Sequence, residues 1–352
     1  MENQECSQDS RTNVKELRSS ASSFSFGKLA FLGVLSIALY KFLPLAMLTP
    51  VPLIFGILLF GRSKTVLLTI ACSVALWFLA KLGAAEATAQ LSMASVVGYL
   101  LFYINAVLIG EVILRKVHPV KGLLTTGMIV VALSSVLLGV YITTSETPIV
   151  KQIENSLIQT FEIAKKENPG VKEALEGGGT KALQLQDMLN KPDEIAKGIV
   201  EWIPAGIFIS VFLGLYLSLM IVLRNGILWK SEHTYPYSMK NLLKFEVPYP
   251  IIYVVIFSLA LLLGKEYLGG ETAALIGSNV LYCLGIFYFF QGFGVLIDFL
   301  KWVNIVGFFR SMLVVITLWS AWRIVVLVGL FDTWVNFRKF FKKNKNNEGD
   351  IQ

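Results

Sequence analysis

Charged side chains are scarce in this sequence, and their scarcity excludes an ordinary soluble protein. Only 16% of the 352 residues are charged, whereas 55% are hydrophobic and 12% are aromatic. Soluble domains carry about 25% charged residues. The apolar residues lie in blocks of roughly 20, which is the length that a helix needs to cross the hydrocarbon of a bilayer. The sequence therefore predicts an integral membrane protein.

Alternating strand patterns are also missing. A transmembrane barrel shows segments of about ten residues in which polar and apolar side chains alternate, and the long apolar blocks here do not alternate. We predict an all-α fold, a polytopic transmembrane helical bundle with eight to nine membrane segments. The predicted segments cover residues 28–48, 51–61, 65–83, 93–114, 122–144, 199–224, 248–264, 273–297 and 311–331. The short segment 51–61 either crosses the membrane or forms a half-helix packed inside the protein.

Cysteine and histidine are too few and too scattered for a metal site or a disulfide framework. The 3 cysteines and 2 histidines show no ligand spacing. The sequence also lacks a Walker motif, a nucleophile elbow and an acidic cluster that would hold Mg²⁺. We therefore expect no metal, no cofactor and no enzymatic activity.

Basic residues are placed in a way that predicts the topology. The net charge is +7, but these residues collect at the ends of apolar segments, so we expect the lipid bilayer and no nucleic acid as partner. Basic residues in short loops mark the cytoplasmic side. Three such loops contain Arg62, Arg115 and Arg224, whereas residues 84–93 contain none. This pattern predicts a protein of the bacterial inner (cytoplasmic) membrane, with residues 1–24 as a disordered cytoplasmic tail.

The C-terminal end conflicts with this topology. If residues 311–331 cross the membrane once, the basic residues that follow Phe337 lie outside, against the charge rule. We expect the chain to turn back near Gly292 and Gly294, because glycines loosen a helix. The mixture of phenylalanine, lysine and arginine in residues 337–343 is typical of an interfacial anchor on an anionic leaflet.

The long polar segment 145–198 is mildly acidic, which fits a loop on the outer side of the membrane. Thr147 and Pro148 are a favourable N-cap and N1 pair, and Ile149 and Ile153 begin a repeat of one apolar residue in four. We predict an amphipathic helix there. It lies on the bilayer surface, caps a cavity or contacts a partner.

Polar side chains inside apolar segments supply the candidate site, because a charge at the bilayer centre costs at least about 2.5 to 3.5 kcal/mol on insertion scales. The candidate substrate-binding residues are Asn105, Asn279, Gln291 and Arg323. The candidates for structural ion pairs are Glu111, Asp298, Asp332 and Arg338.

Arg323 needs a partner from another helix, and Asp298 and Glu111 are the candidates. The alternatives are a ligand, a lipid headgroup or snorkelling to an interface. Glu111 has a second candidate partner, Arg115, four residues further on.

The remaining candidates lie near the C-terminus. Asn279 and Gln291 roughly share one helix face, where they form either interhelical hydrogen bonds or substrate contacts. Asp332 and Arg338 would lie about 120° apart on a continued helix, so their direct pairing stays open.

Three stretches carry a family resemblance: FEVPYPIIYVVIFSLALLL, GSNVLYCLGIFYFFQGFGVLIDFLK and VGLFDTWVNFRK. Their order resembles the C-terminal signature of the YybS-like family of uncharacterised bacterial membrane proteins. The matching positions are Pro248, Asn279, Gln291, Gly292, Gly329, Asp332, Phe337 and Arg338. The N-terminal stretch TPVPLIFGILLFGRSK is also similar to that family, and the resemblance covers about residues 28–340.

The first six segments of that family are distantly similar to S-components of energy-coupling-factor transporters. This similarity implies a six-helix bundle with an outward-facing pocket in residues 25–224, about three further helices in 225–337 and a basic tail in 338–352. It also implies separate coupling subunits as partners, because an ATP-driven step needs another protein when the chain has no Walker motif.

Three functional hypotheses follow. The first is a solute-binding or transport-related membrane protein that resembles an S-component, with a closed pocket on the outer side. The alternative is a non-catalytic membrane scaffold that recruits partner proteins through its tail and outer loop. The third is an intramembrane enzyme, for which the sequence shows no catalytic motif.

Overall fold

The computed structural model describes residues 26–82, 89–167 and 191–341. Within these ranges the secondary structure is helical and contains no strand, which confirms the all-α prediction. The predictions for residues 1–24 and 342–352, and for the middle of the long polar loop, concern residues outside these ranges.

The helices follow one another through short connections. They are α1 (26–41), α2 (Pro50–Phe60), α3 (Arg62–Leu82), α4 (Ala89–Leu114), α5 (Pro119–Thr144), α6 (Ile149–Glu167), α7 (Pro192–Arg224), α8 (Met239–Leu243), α9 (Ile251–Leu263), α10 (Lys265–Leu268), α11 (Gly270–Trp302), α12 (Gly307–Ser320) and α13 (Trp322–Val335). Two 3₁₀ helices, Leu43–Leu48 and Gly226–Leu228, lie between them, and one more helical turn covers residues 337–341.

The described residues contain 6 helical segments that are long and apolar enough to cross a membrane, or 7 if α12 and α13 together form one span. The predicted count of eight to nine is higher because it includes two short apolar helices. One of these, α9, has 13 residues and is about 20 Å long, less than the roughly 30 Å of a bilayer core. The other is α1.

The short segment after Pro50 is one of the most deeply buried parts of the chain. Prolines at the start of α2 suit the first turn of a helix, where the N–H groups have no intrahelical acceptor. Leu53 and Ile54 have no exposed surface, and α2 packs against α3, α4 and α7. Together with the preceding 3₁₀ helix, α2 forms the candidate span Leu43–Phe60.

The connection between α7 and α9 is packed into the bundle. The Trp229 indole is fully buried and donates a hydrogen bond to the Val222 carbonyl at 3.0 Å. The Tyr235 hydroxyl donates to the Val117 carbonyl at 2.8 Å, and burial raises the pKa of this phenol. A ring nitrogen of His233 lies 2.9 Å from the Leu58 carbonyl oxygen. These contacts tie the connection to α2 and to the end of α4.

The predicted turn near Gly292 and Gly294 was wrong. Helix α11 continues through both glycines to Trp302. The chain changes direction instead at Asn304 and Gly307, which have positive φ angles of 64° and 66°. The predicted single segment 311–331 is also divided, because α12 and α13 meet at an angle of 97°.

The two glycines allow close helix crossing rather than loosening α11. A Cβ atom on Gly292 would overlap the Val325 carbonyl oxygen of α13, and one on Gly329 would overlap the Tyr288 carbonyl oxygen of α11. Small residues allow the backbones of membrane helices to approach each other in this way. Helix α13 therefore packs tightly across α11, and no larger residue fits at the crossing.

Replacement of Gly292 by alanine should destabilise the protein. The added methyl group meets backbone atoms that cannot move aside without separating α11 from α13, and overpacking of this kind costs about 1–3 kcal/mol. We expect Gly292→Ala to lower the Tm of the full-length protein in detergent. Gly285→Ala is the matched control on the same helix, because nothing lies within 4 Å of a Cβ there. Equal Tm values for the two variants would contradict the crossing.

Candidate functional site

The four candidate substrate-binding residues do not form one site. Asn105 is buried on α4, and its Oδ1 atom has no hydrogen-bond partner among the described residues. Asn279 and Gln291 contact different neighbours of α11, and Arg323 lies at the start of α13. A solute site built from these side chains is therefore not present in the described part of the chain.

Asn279 joins α11 to α7 beside Pro204. Its Oδ1 atom accepts a hydrogen bond from the Ala205 amide at 3.1 Å, and its Nδ2 atom donates to the Glu201 carbonyl at 3.0 Å. A regular helix would pair that amide with that carbonyl directly. Proline lacks an N–H and its ring crowds the preceding turn, so the ladder is weakened there. The Asn279 side chain bridges the weakened turn.

Arg323 does not pair with either predicted partner. It is an exposed residue in the first turn of α13, and its guanidinium lies 5.5 Å from the centre of the Trp322 ring. Glu111 instead contacts Arg62 and also Arg115, the latter at 2.8 Å. Asp298 contacts Lys301 at 3.0 Å. The 97° break before α13 explains the difference, because Arg323 lies at a helix end and not in the middle of a span.

Gln291, Asp332 and Arg338 form a buried polar cluster, which we call the Gln–Asp–Arg cluster. The Gln291 Oε1 atom accepts from the Val247 amide at 2.8 Å, and its Nε2 atom donates to Asp332 Oδ2 at 3.1 Å. Arg338 Nη2 donates to the Gln291 and Phe245 carbonyls at 3.0 and 3.2 Å. Arg338 Nε lies 3.9 Å from Asp332 Oδ2.

A left-handed residue brings Arg338 to Asp332. Asn336, with φ 50° and ψ 60°, ends α13 and turns the chain back. Asparagine is one of the few residues that adopt this conformation readily. Asp332 Oδ1 then accepts a hydrogen bond from the Phe337 amide at 2.8 Å. The two side chains therefore meet, although a continued helix would have separated them.

The cluster is deeply buried. The side chains of Arg338 and Asp332 are only 8% and 4% exposed. Arg338 thus belongs to the packed interior, whereas the interfacial-anchor interpretation placed it at the membrane surface. Such a cluster locks three segments together: α11, the strand-like connection at 245–247 and the end of α13.

Breaking the cluster should destabilise the fold strongly. Loss of one member of a buried ion pair costs about 3–5 kcal/mol, because the other charge stays buried without its partner. We expect this range for Arg338→Gln, and less than additive loss for the double variant Asp332→Asn/Arg338→Gln. Thermal unfolding of the full-length protein in detergent measures both.

The control for this experiment is Lys301→Gln, which removes an ion pair whose side chains are 42% and 34% exposed. Pairs exposed to solvent contribute only about 0–1 kcal/mol. Additive losses for Asp332 and Arg338, or a loss as small as that of the control, would show that the two residues act independently.

The described residues also enclose a large apolar cavity, which we call the chamber. It has a volume of about 1090 Å³ and lies between α7, α11 and α12, with the start of α13 at one end. Its walls are formed mainly by apolar side chains such as Leu213, Leu281, Phe289, Phe293 and Val314. The chamber is open at the side, since Val315 and Tyr282 are 64% and 39% exposed. It can therefore accept an apolar group from the bilayer.

The polar groups of the chamber are few and collect towards one end. Helices α7 and α11 run in the same direction, as shown by the contacts of Trp202 with Tyr282 and of Tyr216 with Phe290, each with ring centres 4.2 Å apart. The arginine that closes α7 and the one in the first turn of α12 both line the chamber where α11 ends.

Sequence reasoning missed the chamber because its lining residues look like any lipid-facing residues. Gly285 and Phe289 lie in an unbroken apolar stretch, and Arg224 served only as a marker of topology. One signal was available: Leu281, Gly285, Phe289 and Phe293 recur every four residues on α11 with a glycine among large side chains. This spacing places them on one face of the helix.

The helical spans and the buried cluster define a multi-pass, all-α membrane protein. The chain belongs to the family of predicted membrane proteins designated DUF2232, whose model matches residues 29–333. No curated protein and no solved structure matches the chain. Within the described residues, no three His, Cys, Asp or Glu side chains lie close enough together to hold a metal ion.

Proposed function

We propose that this membrane protein binds an amphiphile from the bilayer in the chamber and that its role is related to transport. The observation that carries the proposal is a cavity of about 1090 Å³ with apolar walls and arginines at one end. Ligand sites are mostly apolar concave surfaces with a few polar groups that orient the ligand. An apolar chain with a polar head matches this distribution.

The outer wall of the chamber supports entry from the membrane. None of the residues of α12 is buried, so this helix contributes little to the packed core. It begins at Gly307, which has a positive φ, and ends at the 97° bend before α13. A wall attached through two breaks in the helical chain can adapt to a ligand of variable shape.

The transport-related part of the proposal comes from the resemblance to the YybS-like family and to S-components. In those transporters the binding protein works with separate coupling subunits, and we propose such partners here. The chamber lies among the C-terminal helices, not in the six N-terminal segments where that resemblance implies a pocket. The proposed orientation, with a cytoplasmic N-terminus in the bacterial inner membrane, places the arginine end of the chamber on the cytoplasmic side.

Filling the chamber tests the proposal. Gly285 lines the chamber and has nothing within 4 Å of an added Cβ. The variant Gly285→Phe should therefore fold while occupying the space of the ligand. We expect native mass spectrometry of the full-length protein to show several-fold less retained phosphatidylcholine for this variant than for the unchanged protein.

The control is Gly139→Phe on α5, where a Cβ also has open space but the residue does not line the chamber. This variant should retain lipid like the unchanged protein. A Tm measurement for both variants checks folding. Equal lipid retention by Gly285→Phe and Gly139→Phe, with Tm values unchanged, would refute binding in the chamber.

A further inference from the structure

We propose that the chamber selects a phospholipid with a net negative headgroup and that Arg224 and Arg310 hold its phosphate. This inference rests on the proposed function, because the acyl chains of that lipid would occupy the chamber. It goes further by assigning the charge of the ligand and the two residues that recognise it.

The two arginines are available for a ligand. Both line the chamber, and neither forms a hydrogen bond or ion pair with the residues that the structure describes. The chamber walls contain no aspartate or glutamate. Two positive charges therefore meet at one end of an apolar cavity without a neutralising partner there. This excess charge complements an anionic headgroup and disfavours a cationic one.

The start of α12 adds hydrogen-bond donors at the same place. The first N–H groups of a helix have no intrahelical acceptor and carry a partial positive charge. Val306, the N-cap residue, provides no side-chain cap for them. Gly307 and Ser311 also line the chamber. Backbone N–H groups, a hydroxyl and two guanidinium groups together form a suitable environment for a phosphate.

The position of this end within the molecule also fits a headgroup. Arg224 is the last residue of the candidate span Pro192–Arg224, and Arg310 lies close to the start of α12, shortly after the span Gly270–Trp302 ends. Helix ends of this kind lie at the level of the lipid headgroups. The apolar part of the chamber extends from there along α11 towards Leu281. A phospholipid in this position keeps its phosphate at the interface and its chains in the hydrocarbon.

Lipid competition on the full-length protein tests the inference. The protein in detergent is incubated with equal amounts of phosphatidylglycerol and phosphatidylcholine, and native mass spectrometry measures the ratio of the two complexes. Each arginine near a membrane surface favours an anionic lipid by roughly fivefold. We expect a clear preference for phosphatidylglycerol that falls stepwise in Arg224→Gln and Arg310→Gln and disappears in the double variant.

Two matched variants separate a specific site from general attraction. Arg115→Gln removes an exposed arginine at another helix end outside the chamber, and it should keep the preference. The double lysine variant, Arg224→Lys/Arg310→Lys, keeps the charge and should keep most of the preference. If the double glutamine variant does not fold, the single variants and the decrease of the preference with rising salt in the unchanged protein provide the test.

The outcomes distinguish the two proposals. Equal retention of both lipids by the unchanged protein, together with loss of both in Gly285→Phe, would overturn the headgroup assignment and leave the chamber as a lipid site. A preference that Arg115→Gln reduces as much as Arg224→Gln would also overturn it, because surface charge alone would then explain the result. Retention that Gly285→Phe does not change would overturn the proposed function itself.

Discussion

The close contact between α11 and α13 at Gly292 and Gly329 determines the arrangement of the C-terminal half. Because neither residue has a side chain, the two backbones meet directly, and the carbonyl groups of Tyr288 and Val325 lie where side chains would otherwise be. This contact sets the distance across which Gln291 can reach Asp332. The cluster and the path of the chain after it depend on this single crossing.

The bilayer explains why the polar side chains are used as they are. No water is available in the hydrocarbon, so a buried amide or carboxylate needs a partner within the protein. Asn279 meets this requirement by bonding to the backbone of α7 beside Pro204, and Gln291 by bonding to the Val247 amide and to Asp332. Both amides therefore join helices. A polar residue inside an apolar segment is consequently weak evidence for a substrate site.

The sequence predicts the helical class and many of the helix positions well, because segment length and apolar content are local properties. It also predicts the start of α6 after Thr147 and Pro148. The break after Ser320 could not be predicted, since residues 314–328 contain neither glycine nor proline and read as one continuous apolar helix. The pairing of Asp332 with Arg338 depends on the left-handed conformation of Asn336, which is one of several conformations that this residue type allows.

The chamber could not be predicted for a different reason. It is formed by side chains from α7, α11 and α12 that are far apart in sequence, and each of them is as apolar as a residue facing lipid. Only the packing of the helices shows which apolar residues face a cavity. Even Arg224, which the charge pattern identifies as a loop residue, acquires a possible binding partner only when α12 is placed beside it.

Helix α11 separates the stable part of the C-terminal half from the part that can change. One of its faces carries Tyr288 and Gly292 against α13, and Gln291 extends from it into the Gln–Asp–Arg cluster, whereas Gly285, Phe289 and Phe293 face the chamber. The first set consists of backbone contacts and buried hydrogen bonds, which are lost together when the helices separate. The second set faces α12, which has no buried residue of its own. Because the folding free energy is concentrated on the first side, α12 can move to admit or release a ligand without loss of the α11–α13 crossing.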